Sequence, residues 1–564
     1  MATIKQLALE DSKALDRYWN PELKMIKRNI YTHHHHQLFT PLARRQDVHM
    51  PRENLYYAST MMDSQDAFYF NRGCEIMEAV IGYQETDPND PCCGSWSWFA
   101  EEKASAMIRR DDNWADFCGN AIIRAYIKHN QKMPESLFNK IKPCLELACN
   151  MIIKRDTPPS YTNIAVLGAS TVLLTGEVFE IIPYIDYALN RLRKILAYTR
   201  DLGTFEEYNS PTYANVTLNA FENIYLLTEN DEAKNICHEH IELIWKEIAM
   251  HFHPDTKQWG GPHSRCYNSL LDINYLTRLQ NATGLELGAP KEKLLEPEEW
   301  GKIHTCCPEK YLCYFTDNSE RIVENNYNKS HGVEFKACQY MSEDLSFGTF
   351  SREHFWEQRS NFILYTLNNS KPVYAVLRSR VGDEHFTGTA LTCSQYKKQA
   401  VFGINYTSDT KLFGMTPRED LKNGVLETDY LAIEIEIGGG LGGITAVLKN
   451  KEFILSITGK HYYFSLLDYG CDIGTPKLVV KKTDSTIHLA CIIHEGEMKT
   501  FDLSEFKKSW FLFSFSCHEP IHAVVKVNEN RANAYFEAEN KQHGVEIITT
   551  TTGIVETMKQ NHFY

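Results

Sequence analysis

Residues 203–227 read GTFEEYNSPTYANVTLNAFENIYLL, and they join a polar, aromatic approach to an amphipathic helix that begins at Tyr213. One Ser or Asn suffices to bond the free N–H groups of a first helical turn. Here a carboxylate (Glu207), two phenols (Tyr208 and Tyr213) and an amide (Asn209) crowd a single helix start. Such a start calls for a purpose beyond capping.

The flanking sequence repeats the theme. In DEAKNICHEHIELIWKEIAM (231–250) the apolar positions Cys237, Ile241, Ile244 and Ile248 fall on one helical face. SLFNKIKPCLELACNMII (136–153) does the same through Ile141, Leu145, Ala148 and Ile152, with Pro143 predicting a kink or a later start. Helical spacing recurs near 52–63, 66–84, 114–129, 135–154, 163–175, 178–199, 213–228, 232–251 and 267–280. Polar or proline-marked helix starts lie at Pro51-Arg52, Asn113-Trp114, Tyr161-Asn163, Asn209-Tyr213 and Pro262-Tyr267. Each step is about the length of one helical hairpin, and hairpins of this kind stack into a solenoid or close into a toroid. In a closed α/α toroid alternate helices run parallel, so their N-termini meet at one mouth. That places Asn113, Trp114, Tyr161, Asn163, Tyr208, Asn209, His263 and Arg265 around one bowl, where helix dipoles and free N–H groups favour anions.

Residues 281–330 read as an irregular connection with short helices. Beyond them the period changes to two. In LAIEIEIGGG, Ile433, Ile435 and Ile437 alternate with Glu434 and Glu436, the pattern of a half-buried strand. KPVYAVLRSRV, KEFILSITGKHYYFSLLD, SWFLFSFSC and IHAVVKVNENRANAYFEAE continue it. The expected fold is a multidomain α + β chain: an N-terminal (α/α) toroid of helical hairpins over 1–280, a linker over 281–330, and a large antiparallel β-sandwich over 331–564.

Bulk properties agree with a large globular chain. Single cores stop growing at about 250–300 residues, and this chain has 564, of which 43% are hydrophobic. Its 73 acidic and 59 basic residues are mixed along the length and leave a net charge of −14, which argues against a nucleic-acid partner. The start, MATIKQLALEDSKALDRYW, has no apolar secretory core, and no run of about 18 apolar residues predicts a membrane span. Sixteen irregularly placed cysteines then read as reduced thiols in a cytoplasmic protein. Nothing in the sequence sets an oligomeric state.

EYNSPTY (207–213), WGGPHSRCY (259–267), NWADFCG (113–119) and YTNIAVLGA (161–169) together resemble a group of α/α-toroid proteins. These are similar to the polysaccharide lyases acting on alginate, glucuronan and heparin-type chains. The resemblance covers roughly residues 45–275 by motif and the whole chain by architecture. It implies β-elimination on a uronic-acid-containing oligo- or polysaccharide, with no cofactor and no metal required. In that reaction a base takes the C5 proton beside the carboxylate, an acid protonates the O4 leaving group, and a cation or amide neutralises the carboxylate. The helix starts hold this kit. Arg265 offers a fork for a carboxylate, Asn209 and Asn163 offer amides, Tyr213 and Tyr267 offer phenols, and His263 offers a base. Asn113, Tyr208, Glu207, Trp114, Trp96 and Trp98 are candidates for holding the sugar rings. For several of these a bland role is open: Arg265 as an anchor for Glu207, the tryptophans as core.

Two other functions compete. An inverting glycoside hydrolase needs two carboxylates about 6.5–9.5 Å apart, for which Asp116 and Glu207 are candidates, with Asp111 and Asp112 nearby. A non-catalytic carbohydrate-binding protein needs only the aromatic bowl. Other clusters are weaker. His33–His36 in a row read as a solvated turn, since consecutive side chains diverge. His238 and His240 lie on different helical faces, and His251–His253 follow a helix end. Arg44, Arg45 and Arg52 could add positive charge to the bowl. The glycines of IGGGLGG precede no helix and form a turn, while His354, Trp356 and Arg359 in SFGTFSREHFWEQR (346–359) could reach a cleft.

Overall fold

The computed structural model describes residues 4–28, 39–44, 47–289, 306–330, 333–406, 425–502 and 505–549. The histidines at 33–36, Arg45 and the side chain of Arg44 lie outside the described residues. Helices come first and antiparallel strands follow. The helices are α1 (Ile4–Leu15), α2 (Pro51–Asp63), α3 (Ala67–Ile81), α4 (Asn113–His129), α5 (Glu135–Arg155), α6 (Thr162–Val178), α7 (Ile182–Leu202), α8 (Tyr213–Leu227), α9 (Asp231–His251) and α10 (Ile273–Thr283). Local chemistry sets several ends. Pro51 opens α2 where its missing N–H costs nothing, and Asp66 caps α3 by accepting from the N–H groups of Phe68 and Tyr69. Helix α1 lies outside the helical segments that the sequence predicts. Helix α5 starts at Glu135 and continues through Pro143, so the later start is not seen; the proline occupies an exposed position, so only a solvent-side carbonyl loses its donor.

The chain divides into two compact units. A helical unit comprises Met1–Asp201, Tyr213–Trp245 and Ile273–Pro308; a strand unit comprises Leu202–Thr212, Lys246–Asp272 and Glu309–Tyr564. Two short segments from within the first 280 residues therefore group with the strands. Among the described residues no helix is long and apolar enough to cross a membrane.

In the helical unit α2, α4, α6 and α8 pack side by side in that order, with α3 against α2 and α5 against both α4 and α6. A buried polar rung crosses three of them. Asn120 on α4 donates to Ser170 on α6 at 2.8 Å and accepts from Asn223 on α8 at 3.2 Å. These residues lie about two, two and three turns from the starts of their helices, so the three starts are level within about one turn. Contacts at that end agree: the Arg52 guanidinium lies 4.8 Å from the Trp114 ring, and the Asn113 amide donates to the Tyr161 hydroxyl at 3.1 Å.

The strand unit is a sandwich. Its nine-stranded sheet runs in the order Lys477–Lys482, Thr486–Asp502, Val425–Gly439, Lys371–Val381, Phe362–Asn368, Leu345–Phe350, Val333–Ser342, Arg321–Ser330, with Glu384–His385 added beside Lys371–Val381. Its seven-stranded sheet runs Thr445–Lys449, Glu452–Ile457, Lys460–Cys471, Ser509–Cys517, Gln399–Tyr406, Thr389–Tyr396, Arg352–His354. Aromatic contacts join the facing surfaces: Phe347 to Phe515 at 4.6 Å and Phe362 to Phe402 at 5.3 Å. Val524–Val527, Arg531–Ala538 and Lys541–Ile548 form a third, small sheet. The first strand of the nine-stranded sheet begins at Arg321, inside the stretch that reads as a connection. Ile433, Ile435 and Ile437 enter the core as their alternation predicts. Glu434 is buried as well, because Tyr430 donates to it at 2.5 Å and His488 lies 3.0 Å away.

The polar rung gives a stability test. Asn120→Ala leaves Ser170 and Asn223 without their buried partner and should cost about 1–3 kcal/mol in urea unfolding followed by far-ultraviolet circular dichroism. An unchanged midpoint would show that the rung does not hold the helices level.

Candidate functional site

The crowded start of the opening stretch is a staple inside the strand unit. Asn209 has φ 46°, a left-handed conformation that Asn tolerates better than most residues. Its side-chain amide donates to the carbonyls of Gly260 and Pro262 at 2.9 and 2.8 Å, while its side-chain carbonyl accepts from the Trp259 indole. Its own backbone carbonyl takes His263 Nδ1 at 2.8 Å. On either side, Ser264 bonds the Tyr208 carbonyl with both its N–H (3.2 Å) and its hydroxyl (2.7 Å), and Ser210 donates to the Arg265 carbonyl at 2.5 Å. Segments 207–210 and 259–265 are thus tied residue by residue. The second segment also exchanges backbone hydrogen bonds with Ser360, through His263, at 3.0 and 3.1 Å. A Cβ on Gly260 would strike the amide of Gln339, and one on Gly261 would strike the side chain of Ile363, which explains the paired glycines of WGGPHS.

Below the staple lies a buried aromatic and polar layer. Tyr208 packs with Tyr327, Phe335 and Phe350, donates to His251 Nε2 at 2.9 Å and accepts from Asn325 at 3.1 Å. His251 Nδ1 bonds Gln339, whose amide returns to the His251 carbonyl at 3.2 Å. Burial holds His251 neutral, its pKa lowered to about 3, and burial likewise lowers His263 to about 4 despite the carbonyls beside it. Both imidazoles therefore serve as neutral connectors.

A charge cluster completes this region. Arg265 Nη1 donates to Glu207 at 2.9 Å, its Nε and Nη2 donate to Gln358 at 3.1 and 2.9 Å, and its guanidinium lies 5.4 Å from the Trp356 ring. Arg359 donates to Glu353 at 2.5 Å, and Tyr327 donates to the other Glu353 oxygen at 2.9 Å. Burial opposes ionisation of Glu353, but Arg359 and His354 outweigh it and lower the carboxyl to about 2. Glu206 has the opposite environment. Burial, then the charges of Glu207 and Glu353, push it up to about 7 against the pull of Arg359.

The helical unit holds the other candidates. Tyr213 is the first residue of α8 and half-buried, and Asn163 lies buried in the first turn of α6. Arg155, at the end of α5, reaches both Asn113 (3.2 Å) and Asp116. Trp98 donates to Asp111 at 3.0 Å, stacks on Phe39 and leans on Trp114. Trp96 is fully buried and donates to the Val80 carbonyl at 2.9 Å, so it closes the core and offers no face to a sugar.

The spacing of the helix starts predicts one bowl holding Asn113, Trp114, Tyr161, Asn163, Tyr208, Asn209, His263 and Arg265; the structure sorts the twelve site candidates into two sets. Glu207, Tyr208, Asn209, His263 and Arg265 form one bonded cluster, near which half-buried Tyr267 follows in the chain. Asn113, Trp114, Asn163, Tyr213, Trp96 and Trp98 belong to the helical unit. Arg265 and Asn209, expected to meet a substrate carboxylate, spend their donors on Glu207, Gln358 and loop carbonyls. His354 and Arg359 bind Glu353 in the same cluster. Trp259, Gln339, Gln358 and Arg155 are not among the predicted site residues, and no local sequence pattern marks them. Among the described residues no group of three His, Cys, Asp or Glu side chains could hold a metal ion.

Comparison with known proteins adds the following. A family profile described as "Domain of unknown function (DUF8769)" matches residues 20–289. No curated protein matches the chain. Among solved structures the chain is similar to "Crystal Structure of Heparinase III" at 9% identity and TM-score 0.43, over 88% of this chain and 82% of that one. It is also similar to "Heparinase III-BT4657 gene product" at 11% identity and TM-score 0.35, over 97% and 90%. At these TM-scores no catalytic position is transferred from either.

Two outcomes are expected of this cluster. Asn209→Ala removes two donated bonds and one accepted bond from buried partners and should lower stability by about 3 kcal/mol, read from the unfolding midpoint. Glu206 contributes through its raised pKa: its stabilisation is fully present below the unfolded value of about 4.5 and is lost as pH climbs to about 7. Stability of the natural chain should therefore fall across that window relative to Glu206→Gln, and parallel pH curves for the two would exclude a buried proton at Glu206.

Proposed function

We propose that the chain is a polysaccharide lyase that cleaves a uronic-acid-containing glycan by β-elimination at the helix starts of its helical unit. The observation that carries this reading is the level arrangement of α4, α6 and α8, which sets Asn113, Asn163 and Tyr213 at one end of three neighbouring helices. A uronate carboxylate there meets the positive ends of three helix dipoles, each helix end contributing about 0.3–1 kcal/mol. Neutralising that carboxylate acidifies the C5 proton and stabilises the enolate. The Tyr213 phenolate takes the proton, the C4–O4 bond breaks as the C4–C5 double bond forms, and the same phenol returns the proton to O4.

His263 is set aside as the base because it is sealed in the interior with Nδ1 committed to Asn209. Arg265 and Asn209 act instead through the loop they hold. The hydrolase alternative has less support, since Asp116 is bound by Arg155 and Glu207 by Arg265.

Incubation with alginate, glucuronan, pectic and glycosaminoglycan substrates should release an unsaturated uronide, seen by its ultraviolet absorbance. Tyr213→Phe should lower kcat by about 10²–10⁴-fold with the fold intact. Turnover that survives in Tyr213→Phe and disappears in Tyr267→Phe would move the chemistry to the other phenol. Folded protein that yields no unsaturated product from any uronide would sink the lyase reading.

A further inference from the structure

The strand unit contains a polar cavity of about 640 Å³ lined by the Arg321–Ser330, Val333–Ser342 and Leu345–Phe350 strands, by Arg352 and Thr392, and by the edge strand Lys541–Ile548. Its volume is within the range of small-ligand sites. The backbone beneath it is locked. Ser351 N–H donates to the Lys336 carbonyl at 2.7 Å, Lys336 N–H donates to the Ser351 hydroxyl at 2.9 Å, and Cys393 N–H donates to the Ser351 carbonyl at 2.8 Å. Arg352 lies directly opposite Thr392 in the strand register. Lys336, Arg352, Thr392 and Ser394 therefore rise from fixed positions around one concavity.

What these side chains lack is a partner. Arg531, the third cation of the lining, is ion-paired to Glu546. Among the described residues no hydrogen bond or ion pair engages the ammonium of Lys336, the guanidinium of Arg352, or the hydroxyls of Thr392 and Ser394. Two uncommitted cations beside two uncommitted hydroxyls fit an anionic, hydroxyl-rich molecule. Among the described residues no Trp, Tyr or Phe lines the cavity, so a neutral sugar finds no stacking face there. Glu324 and Glu334 also line it and repel dense polyanions, which favours a ligand with isolated carboxylates over a polyphosphate.

We infer that this cavity is a second, non-catalytic binding site for a short uronate-bearing oligosaccharide, with its carboxylate on Arg352 and Lys336 and its ring hydroxyls on Thr392 and Ser394. The site does not depend on lyase activity, since binding needs no turnover. Calorimetric titration of the full chain with a short alginate oligosaccharide tests it, with a neutral gluco-oligosaccharide of equal length and inorganic phosphate as comparisons. The Lys336→Ala/Arg352→Ala double variant should bind the uronide about tenfold more weakly or worse, with unfolding and any uronide turnover unchanged. Thr392→Val, which leaves both cations in place, should weaken it by a smaller factor. Equal affinity of natural chain and double variant overturns the inference. So does absence of uronide binding to the natural chain, or binding of the neutral sugar or phosphate as tight as that of the uronide.

Discussion

The carboxamide of Asn209 is the interaction on which the loop architecture of the strand unit depends. It sits on a left-handed backbone turn and satisfies two buried carbonyls and one indole at once. Buried carbonyls without donors are costly, and a loop of irregular backbone has no ladder to supply them. One side chain supplies three bonds, and the main chain beside it then pairs with His263 and Ser264. The position of Arg265 follows from that pairing. Once residues 259–265 lie along 207–210, its guanidinium has Glu207 and Gln358 within reach and Trp356 beneath it.

This explains what the sequence could and could not say. The periodicities of 3.6 and 2 locate α2 to α9 within a few residues and mark the strand half, because burial of one face leaves a regular mark on composition. The helix starts stood out for a sound reason as well: Asn, Tyr, His and Arg at such positions are placed to make directed bonds. Their partners were not legible. Asn209 bonds residues 260 and 262, Tyr208 bonds 325, and His251 bonds Gln339, each pair far apart in the chain and linked by no pattern. A polar group that binds substrate and one that binds a loop carbonyl have the same sequence signature. Trp96 shows the same ambiguity, since an indole that bonds Val80 in a core reads like one waiting for a sugar.

The charge cluster beside the staple has an unequal count. Three buried carboxylates, Glu206, Glu207 and Glu353, share a region with two arginines, Arg265 and Arg359. Each arginine settles on one acid, and the third carries the excess. Burying an unneutralised charge is dearer than binding a proton, so the excess appears as a carboxyl titrating near neutrality beside one held far below it. The dipeptide Glu206-Glu207 thus divides its labour, with one residue anchoring an arginine and its neighbour storing a proton.

Two arginines near the helix starts are committed too. Arg155 holds Asn113 and Asp116, and Arg52 is bonded to Glu53 while lying over Trp114 and Phe117. Under the lyase reading this shifts the burden of anion recognition onto the helix N-termini. Three helix ends at about 0.3–1 kcal/mol each supply roughly the discrimination of one good charge-assisted hydrogen bond. That is modest for binding. It suits catalysis, because dipoles fixed by a buried polar rung need no reorganisation when charge moves from the carboxylate into the enolate, and so they favour the transition state over the ground state. The rung of Ser170, Asn120 and Asn223, remote from the helix starts, then matters to the chemistry by keeping those starts level.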